Sequence, residues 1–217
     1  MKYNIINSGS DGNCIIVNDE IMLDIGVSFK KIQPYYKNIK LVFISHIHGD
    51  HFNKRTIKTL ASERPVLRWV VGKYLVQDLL ECGVNPKNID VLSLGTRLNY
   101  GQFSIQPIKL YHDVENFGCR LILAQKKMIY ITDTKTVEGI KAKDYDLYLI
   151  EGNYDEEEIL QRIERKREQG AFINEYRTMD THLSIQQATD FLLRNMGNNS
   201  TYEFIHQHKE KEKKENE

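Results

Sequence analysis

The chain is poor in cysteine and pairs none of it. Its 217 residues hold three, Cys14, Cys82 and Cys119, an odd number with no C-x-x-C spacing. That excludes a disulfide framework and points to reduced thiols in the cytoplasm. A charge excess is also missing, with 30 basic against 30 acidic residues. Proteins that live on nucleic acid often carry a basic surplus, because neutralising phosphates supplies much of their affinity. Any nucleic-acid surface here must therefore be a local patch. No apolar run is long enough to span a bilayer, so no membrane partner is expected. The opening Met1-Lys2-Tyr3-Asn4 lacks the charged-then-apolar pattern of a secretory signal, so none is expected. The glycines never form G-x-x-x-x-G-K-[ST], which excludes a phosphate-binding P-loop of that kind. No internal repeat is found.

What is present suits one α/β domain. A hydrophobic fraction of 41% supports a sizeable core. Short apolar runs read as strands at residues 3–6, 14–17, 21–23, 41–44, 66–71, 103–110, 120–124, 128–132, 147–150 and 202–205. The run 41–44 is continuously apolar, as in a strand buried on both faces. Helices are expected over 54–60, 73–81, 155–168 and 184–194. Gly83 would cap the second. The third starts acidic and ends basic, in line with the helix dipole. Ser184 and Gln187 form a capping-box pattern at the start of the fourth. Several neighbouring strands are joined by turns too short for a crossover helix. The expected fold is therefore an α/β sandwich with mixed sheets. Residues 1–208 would form the domain. Residues 209–217 alternate basic and acidic side chains with no apolar anchor and read as a solvated, disordered tail.

The chemistry gathers where the run 41–44 ends. Alternate side chains of an extended chain share a face, so His46 and His48 point the same way. Gly49 permits a tight turn, and Asp50 and His51 follow at the start of the next helix. Three of the seven histidines thus fall within six residues. Packing does not explain that concentration, whereas zinc, manganese or iron binding does. Further metal-competent residues stand just past other apolar runs, namely His112, Asp133 and His206, where open sheets assemble sites.

The segment His46-x-His48-x-Asp50-His51 resembles the metal motif of the metallo-β-lactamase superfamily. Asp24 matches the buried aspartate that supports the metal loop there. His112, Asp133 and His206 match the later motifs in order and spacing. Several further stretches resemble the WalJ/YycJ-type, exonuclease-like branch. These are residues 8–14 (Ser-Gly-Ser-Asp-Gly-Asn-Cys), 111–113 with Phe117-Gly118, 131–134, 150–155 and Thr181-His182-Leu183-Ser184. The chain departs from the branch at Gly152, where serine is usual, and at Tyr154, where histidine is usual. It also lacks the usual Ser-His-Leu-Ser wording around His206, which leaves His208 as a rival last ligand. The resemblance implies a four-layer αββα sandwich and two divalent metal ions, zinc by preference, with manganese or iron as alternatives. His46, His48 and His112 would hold the first ion. Asp50, His51 and His206 would hold the second, and Asp133 would bridge both. It also implies hydrolysis by a metal-bridged hydroxide.

Two residues carry catalytic expectations. Asp50 would handle protons as well as bind metal, and His182 would protonate the leaving group. His182 can equally be a capping or packing histidine. Tyr111 and Tyr154 are candidates to line the pocket, and either can equally be structural. The glycine-rich loop over residues 8–13 either presents backbone N–H groups to the site or simply turns the chain. The branch resemblance makes a phosphodiester hydrolase acting as a nuclease on DNA the leading expectation. Lys30, Lys31, Lys37 and Lys40, or Lys54, Arg55 and Lys58, are candidates for phosphate contacts, and both sets can equally be solvated surface. The alternatives are a phosphodiesterase for small molecules such as cyclic nucleotides, and a non-catalytic metal-binding module. A homodimer is allowed.

Overall fold

The fold grows from short runs of branched and aromatic side chains, each too brief to be stable alone. The structure, a computed structural model, describes residues 1–207. The expected tail over 209–217 and the rival ligand His208 lie outside the described residues. The first sheet contains β1 (Tyr3–Asn7), β2 (Cys14–Val17), β3 (Ile21–Leu23), β4 (Leu41–Ile44), β5 (Arg68–Gly72) and β6 (Ile89–Leu92), side by side in that order. Its first three strands are antiparallel meanders, while β3 to β6 run parallel. The second sheet contains β7 (Leu98–Asn99), β8 (Phe103–Tyr111), β9 (Glu115–Leu123), β10 (Lys126–Ile131), β11 (Leu147–Glu151) and β12 (Thr201–Ile205), again in order. Here β7 to β10 are antiparallel and β10 to β12 parallel. Both sheets are mixed, as expected.

Helices cover the outer faces. On the first sheet lie α1 (Phe29–Ile32), α2 (Lys54–Glu63) and α3 (Val76–Glu81). The later helices are α4 (Glu156–Glu168), α5 (Glu175–Thr181) and α6 (Ile185–Asn195). Alternation along β4 shows why the layers hold together. Val42 and Ile44 pack under α1 to α3, whereas Leu41 and Phe43 face the second sheet. All four are fully buried, so the strand is apolar on both faces. Beyond the second sheet, Ile129, Ile131, Tyr148 and Ile150 pack against Leu183, Ala188 and Phe191 near α6. The result is the four-layer αββα sandwich.

Boundaries moved where tertiary pairing outweighed local pattern. β9 starts at Glu115, not at residue 120, because its polar first half pairs with β8 from Tyr111 opposite Glu115 onward. β5 starts two residues late, leaving Val66 exposed. The helix expected over 73–81 opens as a 3-10 turn, Lys73–Leu75, before α3. The capping box at Ser184 and Gln187 is formed in both directions. The elements α1, α5, β6 and β7 had no counterpart in the sequence reading, since each is short or mostly polar.

Candidate metal centre

The site forms where strands end. Asp24 follows β3, His46 and His48 follow β4, Asp133 follows β10, Glu151 closes β11 and His206 follows β12. His112 occupies the short turn between β8 and β9. Asp50 and His51 stand just before Asn53, whose side chain caps α2 by accepting from the Thr56 N–H. His182 is the C-cap of α5. Three of these residues adopt left-handed backbone, Asp24 (φ 57°), Asp133 (φ 42°) and His206 (φ 53°). Side chains other than glycine avoid that region, so surrounding contacts must hold these bends in place.

The bends converge on two clusters of the expected ligands, beside a third group made of Asp133, Glu151, His182 and His206. In one, ligand-competent atoms of His46, His48, His112 and Asp133 all lie within 4.8 Å of one another. In the other, the same holds for Asp50, His51, Asp133 and His206. Asp133 belongs to both through different oxygens. Its Oδ2 lies 3.5 Å from His46 Nε2 and 3.7 Å from His112 Nε2. Its Oδ1 lies 3.3 Å from His51 Nε2 and 3.1 Å from His206 Nδ1. All seven residues proposed from sequence as ligands are therefore brought together.

One orphaned atom tests the fit to a cation. His46 is fully buried, and its Nδ1 meets the Ser45 hydroxyl at 2.9 Å. Its Nε2 is buried too, with no hydrogen-bond partner among the described residues. Leaving such an atom unsatisfied costs about 1–3 kcal/mol. A divalent ion among His46, His48, His112 and Asp133 would satisfy it, and imidazole with carboxylate suits zinc, manganese or iron. The residues fit the group.

Behind the ligand-competent atoms stands a second ring of partners. Asp24, fully buried, accepts from the Ser45 N–H at 2.7 Å, the Ser45 hydroxyl at 2.9 Å and the Tyr130 hydroxyl at 2.6 Å. It also meets His51 Nδ1 at 2.7 Å, which leaves His51 Nε2 facing inward. The Asn13 amide reaches the same loop, 3.2 Å from the Asp50 carbonyl and 2.9 Å from His51 Nε2. The Ser8 hydroxyl accepts from the His206 N–H at 2.6 Å. The loop over residues 8–13 thus braces the cluster.

Glu151 was overlooked as a site residue in the sequence reading. It is fully buried, 2.6 Å from His182 Nδ1 and 3.0 Å from His206 Nδ1. Burial pushes its carboxyl up, but His182 and His206 outweigh that and hold it below its ordinary value. Its place at a strand end, like Asp133, and within the branch-like stretch 150–155 could have flagged it. Tyr130 and Ser45 gave no signal, being ordinary residue types inside or beside strands, whereas Asn13 lay in the loop already flagged over residues 8–13.

These contacts set the charges. Burial pushes the His46 and His112 imidazoles below the usual histidine range. Burial acts the same way on His206, but Asp133, Asp50 and Glu151 outweigh it and lift His206 to about 10. His51 rises well above its ordinary value because Asp133 and Asp24 overcome its burial. His182 rises because Glu151 overcomes its burial. Burial raises the Asp50 and Asp133 carboxyls, yet the neighbouring histidines hold both below the carboxylate range.

A cavity of about 380 Å³ opens onto the clusters, lined among others by His48, Asp50, His112, His182, His206 and Arg177. The lysine and arginine sets at residues 30–40 and 54–58 lie outside the lining of this cavity. Lys31 instead bonds Asn7, Lys40 pairs with Glu20 and Lys54 with Asp78, because all sit around the first sheet. Arg177 lines the cavity instead. Tyr111 and Tyr154 do not line it either. Tyr154 is buried in a parallel bridge to Ser184, and the Tyr111 ring lies under the Lys109 ammonium.

Similarity to solved structures agrees with this architecture. The metallo-β-lactamase fold protein YhfI from Bacillus subtilis aligns over 94% of this chain and 85% of its own, with TM-score 0.70 and 16% identity. The short form of human tRNase Z aligns over 95% and 93%, with TM-score 0.66 and 14% identity. Zinc-bound PqqB from Methylobacterium extorquens aligns over 95% and 89%, with TM-score 0.67 and 13% identity. At such identities the likeness speaks for the fold alone. No curated protein matches the chain in sequence. The profile of the Beta-lactamase superfamily domain matches residues 21–206, which span the strand ends from Asp24 to His206, and the chain belongs to that superfamily.

Proposed function

We propose that the protein is a metal-dependent phosphodiester hydrolase acting on DNA, in the WalJ/YycJ-type branch of its superfamily and in the cytoplasm. The observation that carries this reading is the sharing of Asp133 between two ligand clusters beside an open cavity. His46, His48 and His112 would hold one ion, and Asp50, His51 and His206 a second. Asp133 would span both, with zinc favoured by the zinc-bound neighbour PqqB. When bound, such ions acidify water and neutralise charge developing on an attacked phosphoryl group. The chain supplies the rest. Asp24 and Ser45 keep His51 and His46 turned inward. Asp50 lines the cavity as an anion and is placed to accept a proton there. His182 lines it too and holds a proton more tightly than an ordinary histidine, because Glu151 outweighs its burial. It can hand that proton to a departing alkoxide while Glu151 steadies the ring.

A second reading is a phosphodiesterase for small molecules such as cyclic nucleotides. The cavity volume of about 380 Å³ favours it, lying in the range of small-molecule sites. A tRNase among the structural neighbours makes RNA a necessary comparison. The protein with added zinc or manganese is to be assayed on linear DNA, RNA, cyclic mononucleotides and a chromogenic bis-phosphodiester. We expect cleavage of DNA and of the chromogenic ester. The combined His48→Ala and Asp50→Ala changes should lower both rates by about a thousandfold or more. Activity surviving the double change would sink the metal mechanism. Cleavage of cyclic mononucleotides or RNA without action on DNA would sink the DNA reading.

A further inference from the structure

Two outer contacts of the first cluster lead to one short helix. His48 turns Nδ1 toward the cluster, 3.3 Å from His112 Nε2. Its outward Nε2 lies 3.3 Å from the Asp113 carboxylate. The other oxygen of Asp113 receives the Arg177 guanidinium at 2.5 Å, and Arg177 belongs to α5. His112 Nδ1 lies 3.0 Å from the carbonyl of Thr181, the last residue of α5. A carbonyl only accepts, so His112 carries its proton on Nδ1 and offers a lone pair at Nε2. His112 Nε2 is also 3.1 Å from Asp113, but a lone pair cannot donate to a carboxylate. The donor that Asp113 can use is therefore His48 Nε2–H, and this leaves the lone pair of His48 on Nδ1, facing inward.

We propose that α5 positions the first metal half-site, fixing His112 through the Thr181 carbonyl and His48 through the Asp113–Arg177 pair. The inference rests on the reading of His46, His48 and His112 as metal ligands. The second half-site is supported elsewhere: Asp24 holds His51, and Glu151 with the Asn153 amide holds His206. Glu151 also meets His182, which caps α5, but neither Asp113 nor Arg177 is a partner in these supports. Disturbing the Asp113–Arg177 pair should thus weaken one ion and spare the other. Outer partners of metal-bound histidines typically govern affinity by about 10–100-fold. Asp113 and Arg177 are positioning residues in this scheme, since each acts on the ion through His48.

The test is a competition titration of the whole protein with zinc against a chromophoric chelator. Thermal unfolding of the metal-free forms is measured alongside. Asp113→Ala should weaken one binding event by about 10–100-fold and leave the other at its wild-type strength. Asp113→Asn keeps an acceptor for His48 and should recover part of the loss. Arg177→Ala should shift the same event as Asp113→Ala by a smaller factor. The metal-free melting temperatures should stay close to wild type, because both side chains are partly exposed. Unchanged affinities in Asp113→Ala overturn the inference, as does equal weakening of both events. An Arg177→Ala protein with wild-type affinities overturns the link to α5. A wild-type protein that binds no zinc overturns the functional reading along with it, whereas the variant results bear on this inference alone.

Discussion

At the scale of single residues, Asp24 shows how one buried carboxyl organises a site it does not enter. Four donors or ring atoms converge on it, from Ser45, His51 and Tyr130. Removing it strands all of them without water, which is the costly way to break a buried polar network. Asp24→Ala should destabilise the protein by about 3–5 kcal/mol. For a chain of this size that lowers the melting temperature by about 6–20 °C. Thermal unfolding of the metal-free variant checks it, and a change under 2 °C would mean the network is dispensable. Asp24 was legible in the sequence through its family motif, but its partner Tyr130 was not. A tyrosine in an apolar strand reads as core, and nothing local reveals that its hydroxyl crosses between the sheets. Glu151 escaped notice for the reverse reason, since its histidine partners are 31 and 55 residues away in the chain.

At the scale of elements, the site depends on two loops meeting without room for a side chain. Gly26 lies just after β3, and a Cβ built on it would fall 1.7 Å from the Asp50 carbonyl oxygen. Backbone contacts hold the same junction, with the Asn13 N–H donating to the Asp50 carbonyl and the Ile25 N–H to that of His51. A methyl group there cannot be absorbed by rotating a flexible side chain, because the obstacle is backbone. Gly26→Ala should therefore push the Asp50–His51 loop outward. We expect destabilisation of about 1–3 kcal/mol and weaker binding at the second half-site, read by thermal unfolding and zinc titration. An alanine variant with wild-type zinc affinity would show the loop to be more yielding than this contact implies. Elements of this kind divide by legibility. Strands such as β4 and β10 announce themselves through continuous apolar runs, and the residues just beyond them, His46 and Asp133, follow as site candidates. The helix α5 does not, because Glu175–Thr181 has one buried residue and a polar sequence. Its position is set by contacts with Asp113, His112 and α4, which no local pattern encodes.

For the whole molecule, the clusters tie stability to both protons and metal. In the metal-free protein His51, His182 and His206 bind protons more tightly than free imidazole does, His206 up to about 10. Their stabilising contribution is complete below the ordinary histidine value of about 6.5 and is lost as pH rises through their raised values. His46 and His112 have the opposite sign. Their lowered affinity means that stability falls as pH drops below about 6.5, where the unfolded chain takes up protons they refuse. Asp50, Asp133 and Glu151 add to the acid side, their contribution present above about 4.5 and lost below it. The metal-free protein should thus be most stable near pH 6.5 and fall away on both sides. Divalent ions would take the place of the protons on His51 and His206 and supply positive charge to the same carboxylates. The alkaline decline should then flatten, while competition from protons weakens the ions' hold in acid. Zinc at 100 to 1000 times its dissociation constant contributes about 2.7–4.1 kcal/mol by binding the folded state alone. In a protein of this size that raises the melting temperature by about 5–16 °C. Melting curves with zinc and with chelator from pH 5 to pH 9 should therefore diverge, the zinc effect small at pH 5 and largest on the alkaline side. A zinc effect that does not change with pH would mean that the ion meets histidines already free of protons. The carboxylates around His51 and His206 would then not govern their protonation.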